Sequence, residues 1–145
     1  MSHGRVLGVD AGDKRIGVAL SDPTRLMATP AAVYERRPGL APVLDALADL
    51  ARREGVSQVV VGLPLNADGS EGRQARRARD FALVLERVLG LPTTLWDERL
   101  STREAEAVVR AQGRATRRLR QSGRLDAIAA AVILQDFLDS ERRAC

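Results

Sequence analysis

Apolar positions along this chain switch between a period of two and a period near 3.6, and the switches mark out its elements. Residues 5–10 and 15–21 are short runs with branched apolar residues, parted by Ala11-Gly12-Asp13-Lys14. That pattern predicts a hairpin with a glycine-containing turn. A third extended run over 27–34 is expected to pair with it, with Pro30 marking an edge or a break. Pro38 is expected to open a helix that buries Leu40, Val43, Leu44, Leu47, Leu50 and Ala51 and closes at Gly55. Residues 56–63, almost uninterruptedly apolar through Val59-Val60-Val61, read as a central strand covered on both faces.

After a polar loop over 64–72, a second helix is expected from about Arg73 to Leu89, with Ala78, Phe81, Ala82, Leu85, Val88 and Leu89 inward. A strand over 93–96 follows. Ser101, with Glu104 three residues later, reads as the capping box of a third helix. Residues 110–123 form a basic, glycine-interrupted connector. A last helix from about Arg124 to Ser140 is expected to turn Leu125, Ile128, Ala129, Val132, Ile133 and Phe137 inward. The order predicts a single α/β domain over residues 1–145: a mixed five-stranded sheet, three antiparallel strands then parallel ones, with helices on both faces.

The composition narrows the chemistry. Of 145 residues, 45% are hydrophobic and 29% charged, as in a globular domain. No apolar run is long enough to span a bilayer and no signal-peptide pattern opens the chain, so a cytoplasmic, membrane-free setting is expected. With His3 the sole histidine and Cys145 the sole cysteine, histidine triads, cysteine zinc sites and disulfides are excluded. The net charge is +4, and Lys14 is the only lysine among 23 basic residues. Arginine suits bidentate phosphate contacts, although a GC-rich genome produces the same bias.

Three carboxylates then stand out. Asp10 ends the first apolar run, Glu98 follows the strand at 93–96, and Asp126 lies just inside the apolar last helix. In a mixed sheet ligands gather at the carboxyl ends of strands, where Asp10 and Glu98 would both stand. Alanines at 129–131 would let the last helix approach the sheet and bring Asp126 towards Asp10. Buried together, three carboxylates require a cation, and hard divalent ions such as Mg²⁺ or Mn²⁺ take oxygen ligands of this kind. Each has an ordinary alternative: Asp10 a turn former, Asp126 an N-cap, and Asp97 and Glu98 both solvated charges before a helix with Arg99 pairing locally; if that pair serves the site, only one of the two can face it directly.

Phosphate-holding residues are sought in Lys14, Arg15, Asn66 and Ser70. The arginine clusters 73/76/77/79 and 114/117/118/120/124 are suited to a nucleic-acid backbone, with Arg73, Arg114, Arg117 and Arg118 the leading members. Solvated helix faces are the alternative for both clusters. The polar loop has its own, a plain surface connection.

These segments resemble the YqgF family, the RuvX-like group of ribonuclease H-fold nucleases. The likeness rests on Gly8-Val9-Asp10 with residues 14–19, on Gly62-Leu63-Pro64 with Asp68-Gly69-Ser70-Glu71-Gly72, on residues 97–102, and on Asp126 with Ala129-Ala130 and Ile133-Leu134-Gln135. It implies a ribonuclease H-like fold and favours Glu98 over Asp97, giving Asp10, Glu98 and Asp126 as the acidic, metal-holding site. It also implies trimming of the 5′ end of the small-subunit ribosomal RNA precursor or, alternatively, resolution of Holliday junctions. One departure is Arg124, where the family usually has lysine; the charge is kept. The first role suits a monomer, the second a homodimer. ATP binding by an actin-like domain is a further alternative, although one such domain alone would not enclose a nucleotide.

Overall fold

In the computed structural model, which describes residues 4–112 and 125–144, Val59 and Val61 enter one hydrophobic core and Val60 enters another. All three belong to β4 (Val56–Leu63), and the split is the alternation of a strand covered on both faces. Around it lie β1 (Arg5–Ala11), β2 (Arg15–Ser21), β3 (Ala28–Glu35) and β5 (Thr93–Asp97), in the order β3-β2-β1-β4-β5. The first three are antiparallel, while β1, β4 and β5 run parallel. This is the expected mixed α/β sheet. Pro30 sits on the edge strand β3, beside a register shift opposite Val18 and Ala19, where its missing N–H costs least.

Helices α1 (Leu40–Glu54) and α2 (Arg73–Leu89) cover one face. Their Leu47, Phe81 and Leu85 pack with Leu7, Val9, Ile16 and Val61, each large side chain contributing about 1.5–3 kcal/mol. Helix α4 (Leu125–Ala144) covers the other face with Ile133, Leu134 and Phe137 against Val6, Ala19 and Val60. Helix α3 (Arg103–Arg110) packs on α4. Among the described residues, no helix is long and apolar enough to cross a membrane.

Several expectations shift. Helix α1 begins at Leu40 behind Gly39, two residues beyond Pro38. Val88 is 45% exposed and Leu125 is 57% exposed, so neither belongs to a core. The cap of α3 is Thr102, whose hydroxyl accepts from the Ala105 N–H at 3.0 Å. Ser101 instead closes a 3₁₀ turn over Glu98–Leu100, its N–H donating to the Glu98 carbonyl. That turn consumes the residues that would have started the helix earlier, so the Ser101–Glu104 capping box does not form.

Helix α4 lies close on the sheet because three strand residues have no side chain beneath it. A Cβ at Gly8 would lie 2.7 Å from Leu134 Cβ, and one at Gly17 only 2.0 Å from the Asp126 carbonyl oxygen. A Cβ at Gly62 would meet Ile133 Cδ1 and Glu98 Oε2, each at 2.8 Å. Glycine in a strand interior marks such an approach. The same contacts deliver Asp126 and Glu98 to the carboxyl ends of β1 and β4.

Candidate metal centre

Asp10 stands one residue before the end of β1, opposite Gly17 of β2. Its carboxyl is pushed up to about 6, first by burial and then by the charge of Asp126. Glu98 begins the turn after β5. Burial, then the charges of Asp10 and Asp97, push its carboxyl up to about 7. Asp10 is thus the middle member of the group, sensing Asp126 on one side and sensed by Glu98 on the other.

Asp97 and Glu98 part ways where β5 ends and the 3₁₀ turn begins. Asp97 accepts from the Arg99 N–H at 2.9 Å and from its guanidinium at 2.9 Å. The Arg99 hydrogen bonds hold its carboxyl below the usual range. Among the described residues Glu98 has no such partner, and it lies over Gly62. Nearby, Trp96 Nε1 donates to Asp136 Oδ2 at 3.0 Å and its ring meets Phe137 edge-on, which fastens β5 to α4 next to the site.

Asp126 is engaged differently: Arg15 Nε donates to its Oδ2 at 2.9 Å. Among the described residues, no three histidine, cysteine, aspartate or glutamate side chains are grouped tightly enough to enclose an ion as they stand. The donor chemistry nevertheless fits a hard divalent cation. Asp10 and Glu98 are both raised towards neutrality, first by burial and then by neighbouring carboxylates, Asp126 for Asp10 and Asp10 and Asp97 for Glu98, and added positive charge would relieve both.

The polar loop is built from its own side chains. Asn66 Nδ2 donates to Ser70 Oγ at 2.9 Å, and the Ser70 hydroxyl and N–H donate to Asp68 Oδ1. Arg99 then ties the loop to β5 by donating to the Ala67 carbonyl at 3.1 Å. Lys14 is exposed in the β1–β2 turn. Asp13, in the same turn, pairs with Arg77 of α2. Arg73 opens α2 on the side of the sheet away from α4 and lines a cavity with Arg36. Arg114, Arg117 and Arg118, with Arg120 and Arg124, lie outside the described residues. The sequence reading missed Arg36, the Arg99 tie and the close approaches of other elements at Gly17 and Gly62. Glycines at 17 and 62 inside apolar runs were the available signal for the last of these.

The sheet order, with helices on both faces, defines the class: a ribonuclease H-like fold. Thermus thermophilus RuvC, solved in complex with a Holliday junction substrate, superposes with a TM-score of 0.61 at 16% identity, covering 95% of this chain and 96% of that one. The fowlpox virus Holliday junction resolvase gives 0.57 at 15% identity, covering 94% and 99%. At sequence level, the model of the RuvX family, described as Holliday junction resolvase, matches residues 4–140. A protein of Anaeromyxobacter dehalogenans strain 2CP-C is 52% identical over 140 residues, covering 97% of this chain and 98% of its own. One from Pelotomaculum thermopropionicum is 45% identical over 139 residues, covering 96% and 89%. Both are named as candidate pre-16S rRNA nucleases. The chain belongs to the RuvX family.

Proposed function

We propose that this chain is a divalent-metal-dependent nuclease that hydrolyses phosphodiester bonds, with the 5′ end of the precursor of 16S ribosomal RNA as its substrate. The observation that carries the reading is the Asp10–Glu98 pair, whose carboxyls are raised to about 6 and about 7 beside Asp126. Membership of the RuvX family supports nuclease chemistry and the use of a divalent metal. The full-length relatives at about half identity favour the RNA substrate.

In this reading Asp10, Glu98 and Asp126 hold Mg²⁺ or Mn²⁺ through their carboxylate oxygens, with Asp10 central. A bound ion would supply Lewis acidity there, for lowering the pKa of water and offsetting charge on the phosphate. The chain's own residues do the rest. Glu98, whose protonated form burial favours in the metal-free protein, would release that proton to solvent on taking up the ion. Arg15, released as Asp126 turns, offers a planar guanidinium to the phosphate oxygens, and Lys14 adds a second cation from the turn beside it. Asn66 and Ser70, locked into the loop by Arg99 and Asp68, present a preformed edge to the substrate next to Glu98.

The second reading is a Holliday junction resolvase, which the family description favours. It would act as a homodimer, because two strands must be cut symmetrically; RNA trimming suits a monomer. Labelled precursor leader RNA and a labelled four-way junction, offered separately with Mn²⁺, separate the two. Cutting of the leader near the mature 5′ end supports the first reading. Paired symmetric nicks in the junction, with sedimentation as a dimer, replace it with the second.

A further inference from the structure

On the face of the sheet opposite α4, four arginines converge on one cavity of about 520 Å³. Arg73, Arg76 and Arg77 project from consecutive turns of α2, and Arg36 approaches from the segment after β3, with Phe81 at the base. Arg36 is fixed in place by the Gly12 carbonyl, which accepts from its Nε at 2.8 Å, and by the ring of Phe81, 5.8 Å from the guanidinium carbon. Its Nη2 is buried and has no hydrogen-bond partner among the described residues. A buried donor left unmade is costly and calls for an acceptor. Burial, then the charge of Arg77, push the Arg36 guanidinium down, with Asp13 opposing. The negative groups present do not balance the four cations: Asp13 is taken by Arg77, and Asp80 is exposed at the rim. The Arg73 and Arg76 side chains make no hydrogen bond or ion pair with a described residue, although Arg76 feels the charge of Glu71.

The position of this cavity matters as much as its charge. Arg36 reaches Gly12 and Arg77 reaches Asp13, so the cavity abuts the same β1–β2 turn that follows Asp10 on the other face. A strand passing over that turn would meet the carboxylates on one side and the arginines on the other.

We propose that Arg36, Arg73, Arg76 and Arg77 form a phosphate-binding subsite for the nucleic-acid strand, holding a backbone phosphate removed from the scissile one. This deepens the nuclease reading and rests on it. Arg36 supplies the fixed donor, and the α2 arginines supply adjustable ones, a combination suited to phosphate oxygens. A contact of this kind positions the strand without reading its bases.

The test uses the full chain carrying Asp10→Asn to prevent cutting, with single-stranded RNA and DNA of one sequence, over a series of salt concentrations. Arg73→Ala/Arg76→Ala is compared with Arg52→Ala/Arg53→Ala, which removes equal charge from the end of α1, and with Arg73→Lys/Arg76→Lys. The subsite predicts roughly tenfold weaker binding for the first variant alone. It also predicts a slope of log affinity against log salt reduced by about 0.7–1.4, with the lysine variant keeping most of that slope. On the Asp10-containing protein, the same alanine pair should raise KM and leave kcat near its original value. Equal losses in both alanine variants would reduce the cavity to bulk charge and overturn the subsite, as would no loss in either. If the protein with its own Asp10 neither binds nor cuts nucleic acid, the nuclease reading itself falls, and the subsite with it.

Discussion

The Cβ that Gly17 lacks would stand 2.0 Å from the carbonyl oxygen of Asp126. The obstacle is backbone, so no rotamer change relieves it, and any side chain at 17 must lift the start of α4 from the sheet. Gly17→Ala should therefore cost about 2–3 kcal/mol, read as a lower midpoint in urea unfolding, and should also reduce cleavage because Asp126 travels with the helix. A loss below about 0.5 kcal/mol would mean that α4 sits less closely on β2 than described.

Gly62→Ala tests a softer contact. Its Cβ would meet side chains, Glu98 Oε2 and Ile133 Cδ1, both at 2.8 Å, and these can move by a few tenths of an ångström. The expected outcome is a cost of about 1–2 kcal/mol with a disproportionate fall in kcat, because Glu98 is displaced from Asp10. Parallel unfolding and cleavage measurements separate the two effects. Unchanged kcat would detach Glu98 from the chemistry.

Metal-free stability should fall as pH rises from about 4 to 7. Unfolded, the two carboxyls lose their protons near the ordinary values of 3.8 and 4.5; folded, they keep them to about 6 and about 7. The folded chain binds more protons throughout that window, so raising the pH favours unfolding. Asp10→Asn should flatten this dependence and, with chelator present, stabilise the protein above pH 7 by about 1–2 kcal/mol after solvent screening. Thermal unfolding across pH measures it, and adding Mn²⁺ should raise the midpoint of the original protein more than that of the variant.

Arg15→Ala separates the ion pair from its consequences. Both partners of the Arg15–Asp126 pair are partly exposed, so its loss should change stability by less than about 1 kcal/mol. Freed of that partner, Asp126 should let Mn²⁺ bind at least as tightly by calorimetry, while cleavage slows for want of the guanidinium. Weaker Mn²⁺ binding would show that Arg15 organises the carboxylates instead of competing for one.

The cap of α3 gives a purely structural check. Thr102→Ala should cost about 1 kcal/mol by removing the acceptor for the Ala105 N–H, whereas Ser101→Ala should cost little. A reversed order would restore the helix start read from the sequence.

That cap shows where the sequence was legible and where it was not. The strands and α2 are readable because period and punctuation agree: Gly55 and Gly90 close helices in the left-handed conformation that such residues adopt readily. Ser101 and Thr102 are both good caps, and only the 3₁₀ turn at Glu98, a tertiary feature, decides between them. The carboxylates could be singled out from polar residues at the ends of apolar runs. Their convergence depends on the fit of α4 over glycines of β1, β2 and β4, elements far apart in sequence. Arg36 gave no local sign at all, since its role comes from α2 packing beside it.

The most direct measurement is cleavage of precursor leader RNA with Mn²⁺ by the original chain and by Asp10→Asn. Cleavage reduced about a hundredfold or more in the variant, with RNA binding retained, is the predicted result. Equal cleavage by the two proteins would contradict the assignment of Asp10 as the central ligand of a metal-dependent nuclease.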